Sequence, residues 1–226
     1  MSAQQVLVFI GPPGAGKGSI SRICQERLQW KKVSTGDLCR KHIHEQTAIG
    51  KEIDFAIKSG KLVNDALITE MVADWLKKHD QGSSIILDGY PRTVMQANLF
   101  EKLIESSFSS LKITIVRLTL SDEEVIARLS ARYICKNKEC QRVYSVRSSL
   151  FAPRKDNVCD NCQHAIGRRS DDVPEAIAER LKGYYHHEQA LIDLYKQKGY
   201  EIPEVDMDQP IEQIFTILRD MMKEDA

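Results

Sequence analysis

No part of this 226-residue chain approaches the run of about 18 apolar residues that a membrane-crossing helix needs. Charge of one sign is missing too. Lys plus Arg and Asp plus Glu both number 32, so net charge gives no steering toward nucleic acid or an anionic bilayer. Aromatic residues make up only 7%, with two tryptophans, and they do not interleave with basic residues as in a nucleic-acid-binding face. Internal repeats and low-complexity tracts are absent. The opening residues MSAQQ lack the pattern of a secretory leader and run at once into apolar sequence. A cytoplasmic location is therefore expected. In that reducing setting the six cysteines point to a metal or to free thiols before disulfides. With 42% hydrophobic residues, the length suits one large domain, or one domain carrying inserts.

What the chain does have begins at VLVFIGPPGAGKGS, Val6 to Ser19. Five apolar residues predict a buried strand, and Lys17–Leu28 predicts the helix after it. Between them, Gly11-x4-Gly16-Lys17-Gly18-Ser19 has the makings of a phosphate cradle. Glycines let backbone N–H groups turn inward around phosphate oxygens. The helix N-terminus adds positive dipole, and Lys17 supplies a mobile charge. One detail departs from the common Walker pattern: Gly18 holds the usual hydroxyl position, and the hydroxyl arrives one residue late, as Ser19.

Further apolar runs predict strands at Ile85–Leu87 and Ile113–Leu120, the second with Arg117 in need of the surface or a partner. Strands separated by helical patterns indicate a parallel α/β sheet of P-loop NTPase type, flanked by helices. Helices are predicted over Asp65–Lys78, with Leu67, Ile68, Met71, Val72, Trp75 and Leu76 on one core face, and over Ile211–Met222. Ser121–Glu124 has the form of a capping box, and Pro174 and Gly199 suit the two ends of a long helix. Asp88 ends its strand where a carboxylate beside a P-loop can hold Mg²⁺ or its waters; a turn-capping aspartate is the alternative. Two stretches interrupt this order: 34–63, helical and polar, and 133–172, rich in Cys, Asn, Arg and Ser.

A P-loop does not reveal the phosphoryl acceptor. GPPGAGKGS, STGDLCR, GKLVND, DGYPRTVMQ, RLSAR and GRRSDD…ERL occur in this order, and the chain resembles the adenylate kinases over essentially its whole length. The resemblance implies a core of residues 1–33, 64–132 and 173–226, an AMP-binding insert at 34–63 and a mobile lid at 133–172. It implies the reaction MgATP + AMP ⇌ MgADP + ADP in a monomer that takes ATP, AMP and ADP, with no membrane or nucleic-acid partner. It assigns Gly14, Ala15, Gly16, Lys17, Gly18, Ser19, Arg128, Arg132, Val143, Tyr144 and Met207 to ATP. AMP would meet Thr35, Arg40, Lys61, Leu62, Val63, Gly89, Arg92, Gln96, Arg169 and Arg180. Lys17, Arg92, Arg132, Arg169 and Arg180 match the basic residues around the transferring phosphoryl, while Arg168 has no matched role. Asp88 and Ser19 are expected at Mg²⁺, directly or through water. Asp171 and Asp172 match acids that hold lid arginines, with plain helix-start acids as the alternative.

Cys135-x4-Cys140 and Cys159-x2-Cys162 fall in the lid and have the look of a structural Zn²⁺ site, a small zinc-ribbon-like fold. The first spacing is loose, and Gln141 stands where a glycine often follows a zinc knuckle. Free thiols or disulfides are the alternatives; Cys24, Cys39 and His164 get no metal role. Rival activities are a GTP:AMP kinase or a UMP/CMP kinase; Thr35 and Gln96 argue against the pyrimidine acceptors. A nucleotide-dependent nucleic-acid binder, with Arg142, Arg147, Arg154, Lys155 and Arg168 as its basic face, is the rival from another class.

Overall fold

The structure is a computed structural model that describes residues 5–58, 63–79, 83–137, 139–169 and 171–222. In chain order the elements are β1 (Gln5–Ile10), α1 (Lys17–Leu28), β2 (Lys31–Ser34), α2 (Thr35–His44), α3 (Ala48–Lys58), α4 (Asp65–His79), β3 (Ile85–Asp88) and α5 (Val94–Ser107). They continue with β4 (Lys112–Thr119), α6 (Asp122–Ser130), β5 (Arg132–Cys135), β6 (Val143–Ser145), β7 (Ile166–Gly167), α7 (Pro174–Gln197), β8 (Glu204–Asp206) and α8 (Ile211–Met221).

Every residue of β1 is buried: Val6, Val8 and Ile10 enter one core, Leu7 and Phe9 the other. The unbroken apolar run therefore marks a strand covered on both faces. β3 and β4 flank it, and the parallel sheet runs β2-β3-β1-β4-β8. The chain leaves central β1 toward β2 and later returns to its other side as β4. The carboxyl ends of β1, β3 and β4 thus open at the switch point where such sheets receive ligands.

Arg117 of β4 solves its expected problem with partners: Nε reaches Glu188 on α7 at 2.8 Å, and Nη1 reaches Glu204 on β8 at 2.7 Å. On α4, Ile68, Met71, Val72 and Leu76 are buried as expected. Trp75 is only half-buried, at the rim of that core, with its ring 4.2 Å from His79. Ile214, Phe215 and Leu218 of α8 face inward. The capping box at α6 is half made. Ser121 accepts from the Glu124 N–H at 3.3 Å, but the Glu124 carboxylate takes Arg128 at 2.9 Å and Arg147 at 3.1 Å instead.

Segment 34–63 contributes α2 and α3; Ser34 caps α2 by accepting from the Asp37 N–H at 3.3 Å. From Arg132 onward a separate antiparallel sheet forms, ordered β6-β5-β7. Phe151 of this segment packs on the second core, with the Arg22 guanidinium of α1 lying 5.1 Å from its ring centre. Among the described residues no helix is long and apolar enough to cross a membrane.

Candidate active site

The loop after β1 turns through left-handed backbone at Gly14 (φ 84°) and Gly16 (φ 93°), where a side chain would be strained. Gly16 caps α1 without a side-chain hydrogen bond, so the first N–H groups of the helix face the loop. Lys17 curls back over it, its Nζ donating to the carbonyls of Gly11 at 2.6 Å and Pro12 at 2.8 Å. Burial lowers the Lys17 pKa to about 8; Asp88 opposes the shift, while nearby Arg92, Arg180 and Arg132 add to it. Cations from the β3–α5 turn, β5 and α7 thus converge on the lysine of the loop.

Two aspartates hold most of these cations in place. Arg132 meets Asp172 through two hydrogen bonds, 2.7 Å and 2.5 Å, and Arg180 adds a third at 3.0 Å. Arg169 is bidentate to Asp171 at 2.8 Å and 2.9 Å. Burial would push the Asp171 carboxyl upward, but Arg169 and Arg180 outweigh it and hold the pKa below the ordinary carboxylate range. Asp171 and Asp172 are thus arginine holders and not simple helix-start acids. Arg168 points elsewhere, over the Tyr133 ring at 5.9 Å.

On the other side of Lys17, Thr35 is buried at the start of α2 and donates to the Gly89 carbonyl at 2.9 Å. The same carbonyl accepts from Arg92 Nε at 2.7 Å. Gly89 adopts φ 77°, and a Cβ there would stand 2.7 Å from Arg92 Nη2. Gln96 is buried, and protein groups already engage both ends of its amide. Its oxygen accepts from the Arg92 N–H at 2.8 Å, and its nitrogen donates to Asp65 at 2.8 Å. An amide keeps one further donor and one lone pair beyond those bonds, so base recognition by Gln96 has half its capacity left. Val63 packs partly buried on the core beneath; Lys61 and Leu62 lie outside the described residues.

Arg128 crosses above Gly16. Its Nη2 donates to the Met207 carbonyl at 2.9 Å, and a Cβ on Gly16 would lie 3.4 Å from Met207 Cε and 3.8 Å from Arg128 Nη1. That puts the two expected base-side residues at the loop. Tyr144 departs from expectation. Its ring is buried inside the small sheet, and its hydroxyl donates to Cys159 Sγ at 3.3 Å and accepts from the Asp160 N–H at 2.7 Å. The Tyr144 side chain serves the cysteine cluster, so any contact of Tyr144 with ATP falls to its backbone. Asp88 pairs with Lys32 at 3.2 Å, and a Cβ on Gly18 would be 3.6 Å from its carboxylate. Position 18 therefore faces Asp88 with no hydroxyl to offer, and Ser19 follows it on α1.

Cys135, Cys140, Cys159 and Cys162 come together with all four sulfurs within 4.8 Å of one another. None is in a disulfide; the Cys135–Cys162 and Cys140–Cys159 sulfur pairs are 3.3 Å and 3.6 Å apart. Tetrahedral Zn²⁺ with arms of about 2.3 Å places its sulfurs about 3.8 Å apart, so these residues fit that ion with small adjustment. The 18 residues between the pairs, and the loose first pair, do not prevent closure. Burial opposes ionisation of Cys159, yet the Tyr144 hydroxyl and nearby backbone N–H groups lower its pKa to about 6.

Sequence reasoning passes over three partners: Lys32 on Asp88, Asp65 on Gln96, and Gln141 on Arg40. The last had a visible signal, the missing glycine after Cys140. The Arg40 guanidinium donates from Nη2 to Asp37 and from Nε to the Gln141 side chain, which joins α2 to the cysteine segment.

A parallel sheet with its glycine loop at the switch point, and arginines from the β3–α5 turn, β5 and α7 converging on the loop lysine, defines a P-loop phosphotransferase of the nucleotide kinase type. The sequence profile of the adenylate kinase family matches residues 9–200. The chain is 37% identical over 194 residues to the adenylate kinase of Methanothrix thermoacetophila, covering 85% of this chain and 87% of that protein. It is 38% identical over 194 residues to that of Thermotoga neapolitana, with coverages of 85% and 86%. With the enzyme of Salinispora tropica it shares 36% identity over 208 residues, 92% of this chain and 93% of that one. The chain belongs to the adenylate kinase family.

Proposed function

We infer that this protein catalyses reversible phosphoryl transfer between MgATP and AMP, giving two ADP. The observation that carries the reading is the convergence of Arg92, Arg132 and Arg180 on Lys17 at the P-loop. Phosphoryl transfer asks little covalent chemistry of a protein. It asks that two phosphate chains be held in line while charge on the transferring group is neutralised and water is kept out. Guanidinium groups suit that task because they bind phosphate in a bidentate way.

In this reading the P-loop amides and Lys17 hold the ATP phosphates, Arg128 and Met207 border the ATP base, and Arg132, Arg169 and Arg180 meet the transferring group. Arg40 and Arg92 grip the AMP phosphate, Thr35 and Gln96 its base, and the backbone of 61–63 lies along that base. Segment 34–63 acts as an insert closing over AMP and 133–172 as a lid closing over ATP, excluding water. Mg²⁺ accompanies ATP and offsets phosphate charge; Asp88 is the carboxylate to hold it or its waters, with Ser19 beside it. Structural Zn²⁺ on the four cysteines, with no open position, shapes the lid and takes no part in chemistry. The protein works as a cytoplasmic monomer on ATP, AMP and ADP.

The test is a panel of AMP, GMP, CMP and UMP against ATP and GTP, read as nucleoside diphosphate formed. ADP from ATP plus AMP, with little turnover of CMP or UMP, is expected. CMP or UMP turning over as fast as AMP would overturn the acceptor assignment. Arg92→Ala, Arg132→Ala and Arg169→Ala should each lower kcat/KM about 100-fold, and Arg168→Ala hardly at all. Salt-dependent retention on RNA without ADP formation would favour a nucleic-acid binder instead.

A further inference from the structure

We propose that Gln141 is a positioning residue for the AMP phosphate, a latch through which the cysteine-bearing lid holds the Arg40 guanidinium of the insert. The two residues are 101 positions apart, yet Arg40 Nε donates to the Gln141 side-chain oxygen. Asp37, one turn before Arg40 on the same helix, takes an Nη2 proton. The guanidinium is therefore pinned from two sides by two segments. A Cβ on Gly36 would lie 3.1 Å from Nη1, so the plane also rests on bare backbone. A guanidinium has five N–H groups in a fixed fork, and fixing Nε and one Nη2 proton orients the rest.

The backbone of Gln141 supports the assignment. It lies in left-handed space, φ 44°, directly after Cys140. Glycine takes that conformation without strain, and any other residue keeps it at a conformational cost. Its N–H is bonded to the Asn137 carbonyl at 3.0 Å, which closes the knuckle whatever the side chain. The knuckle thus needs only the backbone, and what glutamine adds is its amide. That amide goes to Arg40.

The consequence is reciprocal coupling. The contact exists only when lid and insert are together, so lid closure completes the alignment of Arg40. A ligand that closes the lid then tightens AMP binding, and AMP favours the closed lid in return. An internal comparison is built in. Gln163, directly after Cys162, is also left-handed at φ 61°, and it is exposed on the same small sheet.

The latch rests on the AMP kinase reading, so the parent protein's own ADP formation is measured first. KM for AMP and KM for ATP are then compared in Gln141→Gly, Gln141→Asn and Gln163→Gly. Glycine relaxes the backbone and removes the amide; asparagine accepts left-handed backbone but is one methylene too short to reach. Both Gln141 variants should raise KM for AMP about 5-fold; KM for ATP should stay within about two-fold of the parent at low AMP and rise by a factor similar to that for AMP only at saturating AMP. Gln163→Gly should match the parent. In an Arg40→Lys background, Gln141→Gly should add nothing further. An inactive parent overturns kinase and latch together. An active parent overturns the latch alone if KM for AMP is unchanged, if KM for ATP at low AMP rises as much as KM for AMP, if Gln163→Gly does the same, or if the Arg40 and Gln141 effects simply add.

Discussion

Asp172 receives Arg132 side-on, with Nε 2.7 Å from one carboxylate oxygen and Nη2 2.5 Å from the other, and only 2% of the acid's side chain is exposed. Neighbouring Asp171 grips Arg169 with the same geometry, but 42% of its side chain is exposed. Burial should separate the two. Asp172→Asn leaves Arg132 without its charge partner in a poorly hydrated place and Arg180 with Asp171 alone, and should cost about 3 kcal/mol of stability. Asp171→Asn should cost less than about 1 kcal/mol. Urea unfolding of the two variants checks this, and equal losses would show that burial does not govern the pair.

Lys17 makes the protein pH-sensitive. Its pKa of about 8 in the fold lies below the ordinary 10.5. Between those values the unfolded chain holds a proton that the folded chain has lost, so this group makes stability rise with pH across that window. Below it both states are protonated and the contribution is constant. Phosphate oxygens favour the charged lysine, so ATP binding at pH 9 should take up a proton, and affinity should fall as pH climbs past 8. Calorimetry in buffers of differing ionisation enthalpy reads the uptake directly, and Lys17→Met should abolish it.

Gly89→Ala tests the turn that carries Arg92. The new methyl would meet Arg92 Nη2 at 2.7 Å and Thr35 Oγ1 at 3.4 Å, at a backbone φ of 77°. Arg92 would have to leave the Gly89 carbonyl. We expect a loss of about 1–2 kcal/mol in stability and at least about a 10-fold drop in kcat/KM. Full activity in this variant would mean that the Arg92 position is not critical.

Elemental analysis of protein purified without chelator should find one Zn²⁺ per chain. Cys135→Ser should lower Tm far more than it lowers activity measured well below that Tm, because the small sheet lacks a sizeable core of its own. Tyr144→Phe removes the hydroxyl that donates to Cys159 and should weaken metal affinity about 10-fold. A chain whose Tm ignores chelation would count against the metal.

The sequence foretold β1, α1, β3, β4 and the long α7 because continuous apolar runs and helix-end residues are local signals. It missed β2 and β8, short strands at the two sheet edges, where Lys31, Lys32, Glu204 and Asp206 keep polar faces. The cysteine cluster was legible from spacing, but its small sheet was not, since β7 has only two residues. Site residues and the arginine holders Asp171 and Asp172 are legible from motifs, yet Asp65 on Gln96 and Gln141 on Arg40 are long-range pairings that no local spacing encodes. The direction of the Tyr144 ring is not legible either, because a motif gives a position and says nothing of which way the side chain turns.

Phe151 gives the lid a thermal character. Its ring leaves the small sheet to lie on the second core beneath the Arg22 guanidinium, so when segment 133–172 moves as the proposed lid, opening returns that ring to water. Apolar burial weakens on cooling. The resting balance between open and closed forms should therefore tilt toward open in the cold, and a pair of optical probes spanning α1 and the lid should report the longer distance there. An enzyme built this way has its readiness to close set partly by ambient temperature, before any nucleotide arrives.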